Sequence, residues 1–252
     1  RRSSDLLPDM FFGGRLSPEE EIRYGTQGVL SPLEAYIDNY APNFKKLMEA
    51  DKPLKKNITA SNGHIYSLPR VKVRERDMTE KLWMNKKWLD KLNLKIPETT
   101  EEFYTTLKAF KEKDPNGNGK ADEIPFTLLS TQFHNMLGSW GILFSQDGVF
   151  VKDNKVLYAG ADKGYKEFLK FYSRLFSEKL IDNESFIQKQ PQINAKGMEK
   201  DYILGAFFTA GPFIVVGMDR NYDYIALPPL KGPNGDRLWN KSSNVTTGLF
   251  AI

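Results

Sequence analysis

The chain has 252 residues, 40% of them hydrophobic and 27% charged, which is the composition of a folded globular protein and not of a disordered or fibrous one. Its 36 Lys and Arg against 32 Asp and Glu leave a net charge of +4, a weak field over this length, and no block of five like charges forms a nucleic-acid tail. Cysteine is absent and the only histidines are His64 and His134, which excludes a disulfide framework, a thiolate zinc or iron–sulfur site, a Cys nucleophile and an HExxH metal site.

The length admits one large domain or two smaller ones. The first predicted element starts at Ser31: SPLEAYIDNY offers Ser31 as N-cap, Pro32 at the first helical position and Glu34 as the partner in a capping box. Leu33, Tyr36, Ile37 and Tyr40 follow at helical spacing, and FKKLMEA continues as a second short helix. Asn62-Gly63 marks a turn before HIYSL, read as a strand ended by Pro69. Residues 70–80 are highly charged and read as an extended connector, and WMNKKWLDKL, 83–92, reads as a helix. A second capping box, Thr99 with Glu102, starts a helix whose stripe is Phe103, Leu107 and Phe110, and IPFTLL then reads as a strand.

FVKDNKVLY, 150–158, alternates around Asp153-Asn154 as a hairpin does. Asp162 caps a helix through Phe176 with an apolar stripe of Tyr165, Phe168, Leu169, Tyr172, Leu175 and Phe176. GAFFTA, YDYIALP and NVTTGLFAI read as strands, so the class is mixed α/β. GAFFTAGPFIVVGM, 205–218, is too short for a membrane-spanning helix, and Gly211-Pro212 interrupts it. No GxSxG surrounds any serine, and RRSSDLLPDM lacks the apolar run of a signal peptide.

One motif is sharp. In DPNGNGKADE, 114–123, oxygen-bearing side chains fall at Asp114, Asn116 and Asn118, and Gly119 stands where a calcium loop turns. Lys120 offers a backbone carbonyl, and Asp122 with Glu123 closes the sphere, setting three carboxylates against one divalent ion. Pro125 occupies the twelfth place, where an EF-hand has its bidentate Glu, and a strand follows instead of a second helix. The expected cofactor is therefore a structural Ca2+ and not a calmodulin-type switch; the alternative is a hydrated Asx-rich turn.

YSLPR, LWMNKKWLDKLNLKIPETTEEF, KAFKEKDPNGNGKADEIPF and GYKEFLKFYSRLF occur in an order that resembles the extracellular solute-binding proteins of carbohydrate ABC transporters, in the lipoprotein branch similar to the alginate-binding proteins. The resemblance implies a periplasmic-binding-protein-like two-lobe α/β fold of type II: a partial first lobe in 1–69, a first crossover in 70–80, a nearly complete second lobe in 81–245 and a return crossover in 246–252. Relative to such proteins, the opening strands, the lipid-attachment Cys and the region past the return crossover have no counterpart, so the chain is expected to be a fragment. The implied function is capture of an oligosaccharide by hinge closure and delivery to ABC permease subunits, by a cell-surface lipoprotein or periplasmic protein, monomeric when intact, with no nucleic-acid partner and no chemistry.

Sugar sites pair aromatic faces with convergent polar groups. The resemblance directs attention to the crossovers and the loops facing the cleft, hence to Arg74, Glu75, Arg76, Gln132, His134, Trp140, Phe213 and Trp239 as ligand-binding candidates. Five of them have a plainer reading: a solvated charged strand for Arg74 to Arg76, a satisfied surface histidine for His134, core packing for Trp140. Trp83 and Trp88, on the expected helix, are assigned to the core. Two other functions compete. A glycan-active enzyme would draw a carboxylate pair from Glu75, Asp77 and Glu80, and a calcium-dependent interaction module would need a repeated loop where one copy exists.

Overall fold

The structure is a computed structural model that describes residues 9–72, 74, 79–143, 148–241 and 244–252. The chain divides into two compact units, Arg1–Met78 with Ser242–Ile252, and Thr79–Lys241.

The first unit holds β1 (Phe11–Phe12), α1 (Pro18–Thr26), α2 (Glu34–Tyr40), α3 (Pro42–Ala50), α4 (Lys52–Ile58), β2 (Leu68–Val71) and the last strand of the chain, β9 (Val245–Ala251). β9 runs between β1 and β2 and is antiparallel to both, so residues expected as a return crossover form the middle of this sheet. Helix α1, which the sequence reading passed over, starts at a capping box: Ser17 Oγ accepts the Glu20 N–H, and the Glu20 carboxylate accepts the Ser17 N–H. Its buried Glu21 accepts a 2.6 Å hydrogen bond from Ser67 Oγ, which in turn accepts the Gly248 N–H. Burial raises the Glu21 pKa, against the lowering effect of the Ser67 hydroxyl. Gly248 has φ +68°, and a Cβ there would lie 2.1 Å from the Leu16 carbonyl oxygen, so the closeness of β9 to this segment requires glycine.

Two expectations are corrected in this unit. Helix α2 begins at Glu34, with Leu33 in the cap position and no side-chain cap, so Ser31 and Glu34 form no capping box. Glu34 is drawn away because its Oε1 accepts the Ile65 N–H at 2.8 Å and meets His64 Nδ1 at 3.1 Å. HIYSL is not a strand up to Ser67; β2 begins at Leu68 and contains Pro69. Pro69 has no N–H to donate and is tolerated because β2 is an edge strand, with a register shift between Leu68 and Arg70. The core beneath the sheet joins Leu33, Ile37, Leu54, Ile58, Ile65 and Val245.

The second unit is built on a four-stranded sheet in the order β4-β7-β3-β8. It comprises β3 (Lys81–Asn85), α5 (Lys86–Lys91), α6 (Thr100–Glu112), β4 (Ile124–Thr127), β5 (Val149–Lys152), β6 (Lys155–Tyr158), α7 (Lys163–Ser177), α8 (Gln190–Gly197), β7 (Leu204–Thr209), α9 (Phe213–Val216) and β8 (Tyr224–Ala226). A 3-10 stretch, Ser130–Trp140, follows β4. β4 is parallel to β7, and β3 is antiparallel to both β7 and β8. All six residues of β7 are buried, as a central strand covered on both faces requires. Phe126 on β4 anchors the main core, edge to face with Phe103 and Phe208 at 5.4 Å each.

The helix expected over 83–92 is corrected to strand then helix. Residues 81–85 pair on both sides, and Asn85 Oδ1 caps the short α5 by accepting the Trp88 N–H. Trp83 thus lies on β3, its indole N–H donating to the Thr209 carbonyl at 2.9 Å, whereas Trp88 is in the core. The Thr99–Glu102 capping box of α6 and the Asp162 cap of α7 form as expected. Leu169 and Phe176, counted in the α7 stripe, are exposed, and the buried face is Phe168, Tyr172 and Leu175. Asp153 and Asn154, both at positive φ, close the β5–β6 hairpin.

Candidate functional site

Two places in the second unit gather chemistry. The first forms where β3 begins and the 3-10 stretch follows β4. Gln132 is buried, and its Nε2 donates to both oxygens of the Glu80 carboxylate, at 3.2 and 3.1 Å, and to the Phe208 carbonyl at 3.3 Å. Its Oε1 accepts the Leu129 N–H, which fixes the amide orientation. Asn135 Nδ2 gives Glu80 a further hydrogen bond at 3.0 Å. The Trp239 indole N–H donates to the Glu80 carbonyl at 2.9 Å, and the ring packs beside Phe208 with centroids 6.2 Å apart. Glu80 itself remains exposed, so a carboxylate is held from behind by two amides and opened to solvent beside a half-buried indole.

The predicted ligand residues divide. Gln132 and Trp239 meet at Glu80. His134, two residues along, is half-buried, with Nε2 3.0 Å from the Tyr165 hydroxyl, and burial lowers its pKa, which favours the neutral ring. Trp140 is only 4% exposed and packs against Phe168 and Phe171 in the core, with no ring face offered to solvent. Phe213, at the start of α9, is 50% exposed and available for stacking. Arg74 belongs to the first unit and is exposed. Glu75 and Arg76 lie outside the described residues, as does Asp77. Asn135 was missed by the sequence reading, and Glu80 was weighed only as a catalytic carboxylate; neither stands in a motif.

The second place is the 114–123 loop, joining α6 to β4. Asp114 sits at φ +43° and gathers the backbone: Oδ1 accepts from Gly117 and Asn118, and Oδ2 from Gly119 at 3.0 Å. Burial works to raise its pKa, but these three N–H donors with Lys91 outweigh that, and the net shift is downward. Asn116 and Asn118 turn their amide nitrogens to the two oxygens of Asp122, each at 2.9 Å, and Asn118 also reaches Asp201, just before β7, at 3.4 Å. Glu123 Oε1 is buried with no hydrogen-bond partner. Its pKa is raised, first by burial and then by the nearby charges of Asp114 and Asp122. As the side chains stand, no three His, Cys, Asp or Glu groups among the described residues converge as a metal cluster. An orphaned carboxylate oxygen within the influence of the Asp114 and Asp122 charges is nonetheless donor chemistry that a hard divalent cation can satisfy.

A profile of the bacterial extracellular solute-binding proteins matches residues 2–251. A curated relative, the fructooligosaccharide ABC transporter substrate-binding protein FusA of Streptococcus pneumoniae serotype 4, is 37% identical over 246 residues, 93% of this chain and 45% of that protein. Among solved structures, an S. pneumoniae FusA EF-hand mutant in complex with fructo-nystose superposes with a TM-score of 0.81 at 34% identity, over 98% of this chain and 52% of that one. The alginate-binding protein AlgQ2 without calcium ion superposes with a TM-score of 0.73 at 28% identity, over 98% of this chain and 51% of that one. The chain spans about half the length of the relatives it matches.

Proposed function

Because the chain belongs to the bacterial extracellular solute-binding protein family, we propose that its protein captures an oligosaccharide outside the membrane and delivers it to the permease subunits of an ABC importer, without chemistry. The observation that supports this best is the Glu80 cluster: a solvent-open carboxylate held by two side-chain amides beside a half-buried indole, groups of the kind that receive sugar hydroxyls and C–H faces. The relatives' carbohydrate ligands point the same way. Capture would follow a population shift, the ligand stabilising a closed arrangement of the lobes by contacts made only there.

The proposal extends to the ligand and metal sets. Trp239 and Phe213 stack on sugar rings, Gln132 positions the cluster, and Arg74, Glu75 and Arg76 add polar contacts; His134 and Trp140 support it from within the fold. One Ca2+ is held by Asp114, Asn116, Asn118, the Lys120 carbonyl, Asp122 and Glu123. Bound there, the ion would offset two of the three carboxylate charges and hold the junction of α6 with β4, beside Asp201; the solved FusA EF-hand mutant supports this reading. Attachment at the cell surface through a lipid anchor is part of the same proposal, since one curated relative is a lipoprotein.

The test is calorimetric titration of a glycan panel into the protein as its gene encodes it, with chromatography of the glycan after incubation. Saturable binding with intact glycan is expected, and Trp239→Ala should weaken it by roughly 10- to 100-fold, the equivalent of about 1.4–2.8 kcal/mol. Cleaved glycan, or wild-type affinity in a Trp239→Ala, Phe213→Ala double variant, would refute the reading.

A further inference from the structure

The Glu80 carboxylate has more acceptor capacity than its neighbours use. Its two oxygens offer about four lone-pair sites. Gln132 Nε2 is shared between both oxygens, and Asn135 Nδ2 takes Oε2. Both donors are anchored: Gln132 is buried and tied to the Phe208 carbonyl and the Leu129 N–H, and Asn135 follows in the same 3-10 stretch. The carboxylate is thereby held in one orientation without a cation on it among the described residues. Lys81, its neighbour in sequence, directs its ammonium to the Thr79 carbonyl at 3.1 Å. A fixed, exposed, negatively charged acceptor beside an indole suits a vicinal diol, whose two O–H groups donate to the remaining lone pairs. It does not suit a second carboxylate. A uronate carboxyl group within roughly 5 Å would meet an uncompensated like charge, a penalty of about tenfold or more in affinity at an effective dielectric between bulk water and a protein surface.

We infer that Glu80 is the residue that sets ligand class at this site, accepting hydrogen bonds from the hydroxyls of an uncharged oligosaccharide and excluding uronate-containing ones. This rests on the reading of the protein as an oligosaccharide-capturing component. The charge that the structure fixes beside Trp239 is negative.

The experiment titrates neutral oligosaccharides, nystose among them, and matched alginate oligomers into the intact protein at physiological salt, for wild type, Glu80→Gln and Glu80→Asp. Wild type should prefer a neutral ligand by about tenfold or more. Glu80→Gln keeps the shape, removes the charge and should narrow that preference by roughly tenfold, through weaker neutral binding together with better uronate binding. Glu80→Asp keeps the charge and should retain the preference even where the shorter reach lowers affinity. Melting curves of both variants confirm that the fold is intact. Wild-type preference for alginate oligomers, or an unchanged preference in Glu80→Gln, would overturn the assignment of Glu80 while leaving oligosaccharide capture standing. Absence of binding by wild type to any glycan would remove capture itself, and this inference with it.

Discussion

Replacing Glu123 by glutamine should change stability with opposite sign in the presence and absence of calcium. Without the ion, Glu123 keeps one buried oxygen unpaired and lies near the charges of Asp114 and Asp122. An unsatisfied buried polar group costs about 1–3 kcal/mol; Glu123 is only partly buried, so the lower end applies, about 1 kcal/mol. Glu123→Gln removes the charge and adds an N–H that can face those carboxylates, and in chelator it should raise the melting temperature by about 2–4 °C, the shift that 1 kcal/mol gives in a chain of this size. With calcium at about a hundred times its dissociation constant, wild type gains about 2.7 kcal/mol. The variant lacks one charged ligand, loses most of that gain and should melt below wild type. A pH series supplies an independent check. The folded state holds the Glu123 proton more tightly than the unfolded chain does, so this group's unfavourable contribution is absent below its ordinary pKa of 4.5 and grows as pH rises through its raised folded value. In chelator the advantage of Glu123→Gln over wild type should therefore shrink on mild acidification. Scanning calorimetry in calcium, in magnesium and in chelator measures all of this. Equal destabilisation of the variant in calcium and in chelator would refute the reasoning, since it would mean that the carboxylate serves the fold and not an ion.

Three further perturbations test the packing. Tyr172 has a buried hydroxyl without a hydrogen-bond partner, so Tyr172→Phe should be neutral or stabilising by up to about 2 kcal/mol in denaturant titration; a loss above about 1 kcal/mol would reveal an enclosed water or other acceptor. Lys196 holds Asp182, which is 7% exposed, at 2.6 Å, together with Glu184 at 2.7 Å; Lys196→Met should cost about 3 kcal/mol, and adding Asp182→Asn should restore part of it. Gly248→Ala forces a left-handed φ on alanine and a clash with Leu16, and should cost about 2 kcal/mol or more; a melting temperature within about 1 °C of wild type would contradict the close approach of β9 to that segment.

What could be read from the sequence was local. The 114–123 loop is contiguous, so its oxygen-bearing side chains stand in order along ten residues, and the capping box at Thr99 and the Asp153-Asn154 turn are each decided within a few positions. Helix α1 carries the same local signal, Ser17, Pro18 and Glu20, and was legible though unread. Trp83 was misplaced because its spacing to Trp88, Leu89 and Leu92 mimics a helix, while the partner that makes it strand, Phe207 on β7, is far away in sequence. The Glu80 cluster failed for the same reason: Gln132 and Trp239 are 52 and 159 residues distant from Glu80, and no periodicity links them. Pro69 in β2 shows the complement, a residue whose usual meaning is reversed by lying at a sheet edge.

The bond between the Trp239 indole and the Glu80 carbonyl joins the points where the chain enters and leaves the second unit. β2 and β9, which pair in the first unit, are separated in sequence by the whole of that second unit. In an unfolded chain their pairing closes a very long loop; once the inserted unit has folded and its two ends are clasped, the effective loop shrinks to the short connections alone. On a logarithmic closure law that shortening lowers the entropic cost by roughly 2–3 kcal/mol. Folding should therefore be ordered, with the inserted unit first and the β1–β9–β2 sheet afterwards. Anything that stabilises the inserted unit, a bound ion included, would then favour closure of a sheet that belongs to the other unit.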